Sequence, residues 1–138
     1  MYRAKDVLNS DVITVSLEMS VEDAIQVLLE NRISGAPVTD SEGVVHGIIS
    51  EYQLLEVIFT PDLKSSPVTK FMTTDVLTVN EDSPLTEIAS QFVLLRIRRL
   101  PVVRDGKLIG VISRRDLLRH GTQNSDAAGK LVAESQKS

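Results

Sequence analysis

Cysteine is absent from the sequence, and histidine occurs only at His46 and His120. That removes disulfides and most arrangements for zinc, iron–sulfur or thiol-nucleophile chemistry. Two tyrosines and three phenylalanines leave few platforms on which the bases of a nucleic acid would stack, so that partner is not expected. No apolar run approaches the roughly 18 to 20 residues needed to cross a bilayer. The opening Met1-Tyr2-Arg3-Ala4-Lys5-Asp6 also lacks the apolar stretch of a secretory leader. The expectation is a cytoplasmic chain without a membrane partner. Catalytic signatures are missing as well: there is no Walker loop, no G-x-S-x-G elbow, no H-E-x-x-H pair, and no histidine beside a candidate nucleophile. The chain therefore reads as a non-enzyme, with no catalytic cofactor and no metal.

What is present is an ordinary globular balance. With 42% hydrophobic and 25% charged residues in 138, the chain suffices for one compact soluble unit with its own core. The net charge of −4 is unevenly spread. Residues 1–66 carry 4 basic and 11 acidic side chains, net −7, whereas residues 67–138 carry 11 and 8, net +3. Most of the basic excess lies in Arg96, Arg98, Arg99, Arg104, Lys107, Arg114, Arg115 and Arg119, interrupted only by Asp105 and Asp116. Such a patch suits phosphate, or an acidic partner such as the first half of a second subunit; a solvated surface is the plainer alternative.

The chain repeats itself. Asp11-Val12-Ile13-Thr14-Val15 returns 64 positions later as Asp75-Val76-Leu77-Thr78-Val79. Arg32-Ile33 returns as Arg96-Ile97, and Pro37-Val38 as Pro101-Val102. After a one-residue deletion, Gly43, Gly47-Ile48-Ile49-Ser50 and Leu54-Leu55 meet Gly106, Gly110-Val111-Ile112-Ser113 and Leu117-Leu118. Fourteen identities in one order with one gap mark a duplication.

Each copy predicts the same order of elements. A β-branched strand over residues 12–15 is followed by Ser20-Val21-Glu22-Asp23, a capping box. The apolar stripe Val21, Ala24, Ile25, Leu28 and Leu29 then gives a helix that packs on a sheet. In the second copy Ser83 is expected to cap, with Pro84 at the first helical position and the stripe repeated by Leu85, Ile88, Ala89, Phe92 and Val93. Two strands joined by a tight turn follow, Asp105-Gly106 being a strong hairpin signal. A second helix starts after Ser50 and after Ser113. The expectation is β-α-β-β-α twice, with repeats at 1–60 and 68–121, a linker at 61–67 and a mobile polar tail at 122–138. A short helix from Ser125 is a further reading of that tail.

With a Pro-Val strand, a turn glycine and a Gly-h-h-Ser segment (h apolar) in each, the two copies resemble cystathionine-β-synthase (CBS) domains over about residues 4–120. The resemblance implies an α/β, more narrowly α+β, fold in which two repeats pair with pseudo-two-fold symmetry around two clefts. It also implies a regulatory module that senses an adenosine-containing ligand such as AMP, ADP, ATP or S-adenosylmethionine, acts on an unknown effector chain, and forms a homodimer. The family signature Gly-h-x-Ser/Thr-x-x-Asp is complete in Gly110-Val111-Ile112-Ser113-Arg114-Arg115-Asp116. By resemblance, Asp116 holds ribose hydroxyls and Ser113 contacts phosphate or ribose. Ile13, Ile33 and Val111 flank the adenine beside Ser34, and Arg98 and Arg99 meet phosphates. The first copy has Gln53 where the aspartate belongs, so the weaker second cleft comprises Ser50, Gln53, Ile48, Leu77 and Ile97.

Beside these roles stand plainer ones. Ser113-x-x-Asp116 and Ser50-x-x-Gln53 are also capping boxes. Of Arg98 and Arg99, alternation along a strand lets only one face the cleft, and Arg98 is favoured. Crossed clefts would assign Arg99 chiefly to the Gln53 side, apart from Asp116. Neither histidine reads as a metal ligand, and Phe59, Phe71 and Phe92 read as core or edge. The alternative function is a ligand-free dimerisation module.

Overall fold

The computed structural model describes residues 1–123. The first repeat runs β1 (Val15–Ser16), α1 (Val21–Asn31), β2 (Gly35–Thr39), β3 (Val45–Ser50) and α2 (Glu51–Leu55). The second runs β4 (Val79–Asn80), α3 (Leu85–Leu95), β5 (Arg99–Arg104), β6 (Lys107–Ser113) and α4 (Arg114–Gln123). Each repeat is a three-stranded mixed sheet: β1 lies parallel to β2 and β2 antiparallel to β3, and β4, β5 and β6 repeat the pattern. This is the α+β architecture the duplication implies. Of the expected tail, Thr122 and Gln123 belong to α4; the remainder, including the helix read from Ser125, lies outside the described residues.

Local chemistry explains most boundaries. Ser20 Oγ accepts the Asp23 N–H at 3.1 Å, capping α1. Arg32 and Arg96, identical in the two copies, both sit at φ 54 just past α1 and α3. Each ends its helix in the left-handed conformation usually given to glycine. Asp105 at φ 52 and Gly106 at φ 79 turn β5 into β6, as a two-residue hairpin requires.

Two expectations are corrected. The strand read at residues 12–15 pairs only from Val15, whose partner is Val38; Val12 and Ile13 instead line a cavity. In the second copy Ser83 does not cap α3, and Pro84 occupies the cap position rather than the first helical one. The Ser83 carbonyl accepts the Ala4 N–H at 2.9 Å, and the free Leu85 N–H at the start of α3 donates to the Tyr2 carbonyl at 3.1 Å. Main chain from a distant segment does the work of a side-chain cap.

That exchange is general. Val68, fully buried, belongs to the core of the first repeat with Val21, Leu28, Val38 and Ile49. Ala4, equally buried, belongs to the second core with Ile88, Leu100, Val102 and Ile112. The segment preceding each repeat thus packs against the other. Asn9 exchanges two backbone hydrogen bonds with Val111, and Thr73 two with Ile48. Gly110 and Gly47 make the approach possible. A Cβ on Gly110 would lie 2.5 Å from Leu8 Cδ1 and 2.8 Å from the Asn9 carbonyl; one on Gly47 would lie 2.6 Å from Met72 Sδ.

The last position of each stripe turns outward. Leu29 is 65% exposed and Val93 72%, whereas Val21, Ala24, Leu28, Ile88 and Phe92 are buried. Phe59, read as core or edge, is exposed too.

Candidate functional site

Between the repeats lies one cavity of about 690 Å³, within the size range of small-molecule sites. Five stretches build it, β3 contributing Ile48 and Ser50. The N-terminal segment brings Asn9, Asp11, Val12 and Ile13; the approach to β2 brings Ile33 and Ser34. Ile97, Arg98, Arg99 and Pro101 lead into β5, and Val111, Ser113, Arg114, Arg115 and Asp116 span the end of β6 and the start of α4.

All eight residues expected in the first cleft, Asp116, Ser113, Val111, Ile13, Ile33, Ser34, Arg98 and Arg99, line this cavity. From the second set Ser50, Ile48 and Ile97 do so as well, but Gln53 and Leu77 do not. Gln53 is held elsewhere: its Oε1 accepts the Ser50 N–H at 2.8 Å, and its Nε2 donates to Thr73 Oγ1. The alternation that was to admit only one of Arg98 and Arg99 does not apply, because Arg98 precedes β5 and is not part of the ladder. Asp116 lines the same cavity as both arginines. Sequence reasoning missed Asn9, Asp11, Arg114 and Arg115 as lining residues. The last two were legible as the variable positions inside the Ser113-x-x-Asp116 motif; Asn9 depends on the segment exchange.

Asp116 is nearly closed in by its own helix. Its Oδ2 accepts the Ser113 N–H at 2.9 Å, and the Asp116 N–H donates to Ser113 Oγ at 3.1 Å. Oδ1 faces Arg119 Nη1 at 3.3 Å, an ion pair in which the aspartate side chain is 22% exposed and the arginine 62%. The site thus offers a carboxylate at the base of α4, an apolar slot of Ile13, Ile33 and Val111, and several guanidinium groups. The histidines stand apart from it: His46 Nε2 meets Asp40 Oδ2 at 2.8 Å, and the His120 ring packs edge-on to Tyr2 at 4.4 Å. Among the described residues no cluster of three His, Asp or Glu side chains is placed to hold a metal, and no helix is long and apolar enough to cross a membrane.

Two duplicated units enclose a ligand-sized cleft between them. The chain belongs to the CBS domain family, whose model matches residues 4–60 and 68–122. A pair of such domains is a regulatory module. The chain is 33% identical over 118 residues to the A-adding tRNA nucleotidyltransferase of Aquifex aeolicus, covering 85% of this chain and 14% of that protein. It spans less than half the length of the uncharacterized protein MJ1225 of Methanocaldococcus jannaschii, 41% at 25% identity, and 71% of an uncharacterized 17.7 kDa protein of Acidianus ambivalens at 31% identity. Among solved structures, CBSX2 in complex with AMP superposes with a TM-score of 0.78 at 32% identity, covering 89% of this chain and 98% of that one. The CBS domain pair of MJ0100 in complex with 5′-methylthioadenosine and S-adenosyl-L-methionine gives 0.71 at 26%, covering 86% and 94%.

Proposed function

We propose that this CBS pair senses an adenosine-containing ligand in the cleft between its repeats and passes the binding state to a partner chain. The observation that carries this reading is the meeting of Asp116, the Ile13, Ile33 and Val111 slot and the arginines on one cavity. A carboxylate suits paired ribose hydroxyls, a flat apolar slot suits adenine, and guanidinium forks suit phosphate. The AMP bound to CBSX2 and the adenosyl compounds bound to MJ0100 support the same chemistry here. Candidate ligands are AMP, ADP, ATP and S-adenosylmethionine, with no catalytic cofactor, in a cytoplasmic setting where these compounds circulate. A thermal-shift screen with the four tests the reading: a rise in the melting temperature with at least one supports it, and no response to any removes it.

A homodimer is part of the proposal. Leu29 and Val93, and likewise Leu55 and Leu118, occupy matching positions of the two copies and are all more than half exposed. Apolar side chains repeated on outward helix faces suit burial against a second copy. The second reading, a ligand-free dimerisation module, draws on the same faces and on the engagement of both Asp116 oxygens within α4.

A further inference from the structure

We infer that a second cavity, at the C-terminal end of β1 and β2 in the first repeat, binds the ammonium group of a small aliphatic amine. It shares no lining residue with the cleft between the repeats, and the inference is independent of the adenosine reading.

The cavity encloses about 370 Å³, at the lower end of the range for small-molecule sites. Strand register gives it a polar wall. Val15 lies opposite Val38 in the parallel β1–β2 pair, and both are fully buried in the core. Ser16 lies opposite Thr39 one position on, so alternation turns these two to the other face, where they line the cavity with Thr14 and Ser41. Thr39 is only 8% exposed. Its hydroxyl has no hydrogen-bond partner among the described residues, yet it is not sealed in; it opens on the cavity. Glu18 stands at the rim, and among the described residues its carboxylate has neither an ion pair nor a hydrogen bond. Asp40 adds a second carboxylate, already engaged by the Glu42 and Val44 N–H groups and by His46. Leu17 and Met19 complete the lining with apolar surface.

The duplicate copy shows what such a corner takes. Its main-chain joint is the same: Ser16 Oγ accepts the Glu18 N–H at 3.2 Å, and Asn80 Oδ1 accepts the Asp82 N–H at 3.0 Å. The Val68 N–H donates to the Met19 carbonyl and the Ala4 N–H to that of Ser83, both at 2.9 Å. In the second copy the chain supplies its own cations. Lys5 Nζ meets Asp82 Oδ1 at 3.1 Å, Arg3 Nη1 donates to the Asp82 carbonyl at 2.7 Å, and Arg104 Nη2 meets Glu81 Oε2 at 2.7 Å. At those three positions the first copy has Thr69, Pro67 and Asp40. It keeps the carboxylate as Glu18 and loses every cation. An alkylammonium replaces what is missing: its three N–H donors suit Glu18 and the Thr39 hydroxyl, and its carbon chain suits Leu17 and Met19.

The test is amide NMR on the whole chain, titrated at pH 7 with n-butylamine, which is then protonated, and in parallel with n-butanol and tetramethylammonium. n-Butylammonium should shift the Leu17, Glu18, Thr39 and Asp40 amides saturably. n-Butanol lacks the charge and tetramethylammonium lacks N–H donors, so neither should do so at the same concentration. Glu18→Gln should weaken the amine at least about tenfold, and Thr39→Val, which installs the second copy's residue, about threefold or more. Both variants should melt within a few degrees of the parent. Thr69→Lys restores the cation that Lys5 supplies in the second copy, and should abolish amine binding from an exposed position. Absence of a saturable shift, equal shifts with n-butanol or tetramethylammonium, or undiminished binding by Glu18→Gln or Thr69→Lys would each overturn the site, and none of these outcomes bears on the cleft.

Discussion

Asp116 and Ser113 hold one another across the first turn of α4, each donating a backbone N–H to the other's side chain, at 2.9 and 3.1 Å. In the first copy Gln53 keeps one half of that exchange, accepting the Ser50 N–H at 2.8 Å. Glutamine thus caps the same turn without a charge. Asp116→Gln should lower affinity for adenosine ligands about 10- to 100-fold, the worth of a charge-assisted hydrogen bond, while stability changes by less than about 1 kcal/mol. Binding as tight as the parent's would reduce the motif to a helix cap and give precedence to the dimerisation reading.

The two halves of the cleft should bind unequally. Gln53 spends its carbonyl on Ser50 and its amide on Thr73 and does not line the cavity, so no carboxylate stands on that side for a ribose. Calorimetry is expected to find one tight adenosine-ligand site per chain. Two equal, independent sites would refute this.

Gly110 is needed for space and not for a turn. Gly110→Ala sets a methyl group 2.8 Å from the Asn9 carbonyl, and that carbonyl is fixed by the Val111 N–H at 3.0 Å. Urea unfolding should show a loss of about 1–3 kcal/mol. Gly121→Ala, where the added methyl meets nothing, should not lower stability, because alanine favours a helix over glycine. Equal losses in both would show that close approach is not the cause.

If the outward faces form a dimer, Leu29→Glu combined with Val93→Glu should yield a monomer of 15.2 kDa in sedimentation, with ordinary circular dichroism. Both positions are exposed in the single chain, so the substitutions disturb no core. A parent chain that sediments only as a monomer would end the dimer proposal.

Asp40 is held below the ordinary carboxyl value, first by its hydrogen bond to His46 and then by the backbone N–H of Val44. A carboxyl depressed in the folded state stabilises above its unfolded value of 3.8 and ceases to do so as pH falls through its folded value. Relative to Asp40→Asn, the parent should therefore lose more of its melting temperature between pH 6 and pH 3, on the order of a few degrees at most. Parallel pH curves would contradict the assigned role.

The duplication, the order of elements and the signature ending in Asp116 were all legible in the chain itself. Helical stripes, capping serines and the Asp105-Gly106 turn act between neighbours a few residues apart, and a repeat is a property of the string. The pairing of β1 only from Val15, the backbone cap of α3 by Tyr2, and the placing of Ala4 and Val68 in opposite cores were not legible. The union of Arg98, Arg99 and Asp116 on one cavity belongs with them. The cap of α3 and the burial of Ala4 join segments some 80 residues apart, and Val68 bonds to Met19, about 50 residues before it; these hydrogen bonds and buried methyl groups are satisfied only after the two repeats have closed on each other. Local pattern decides what each stretch becomes; which stretch it touches is decided by the packing of the whole.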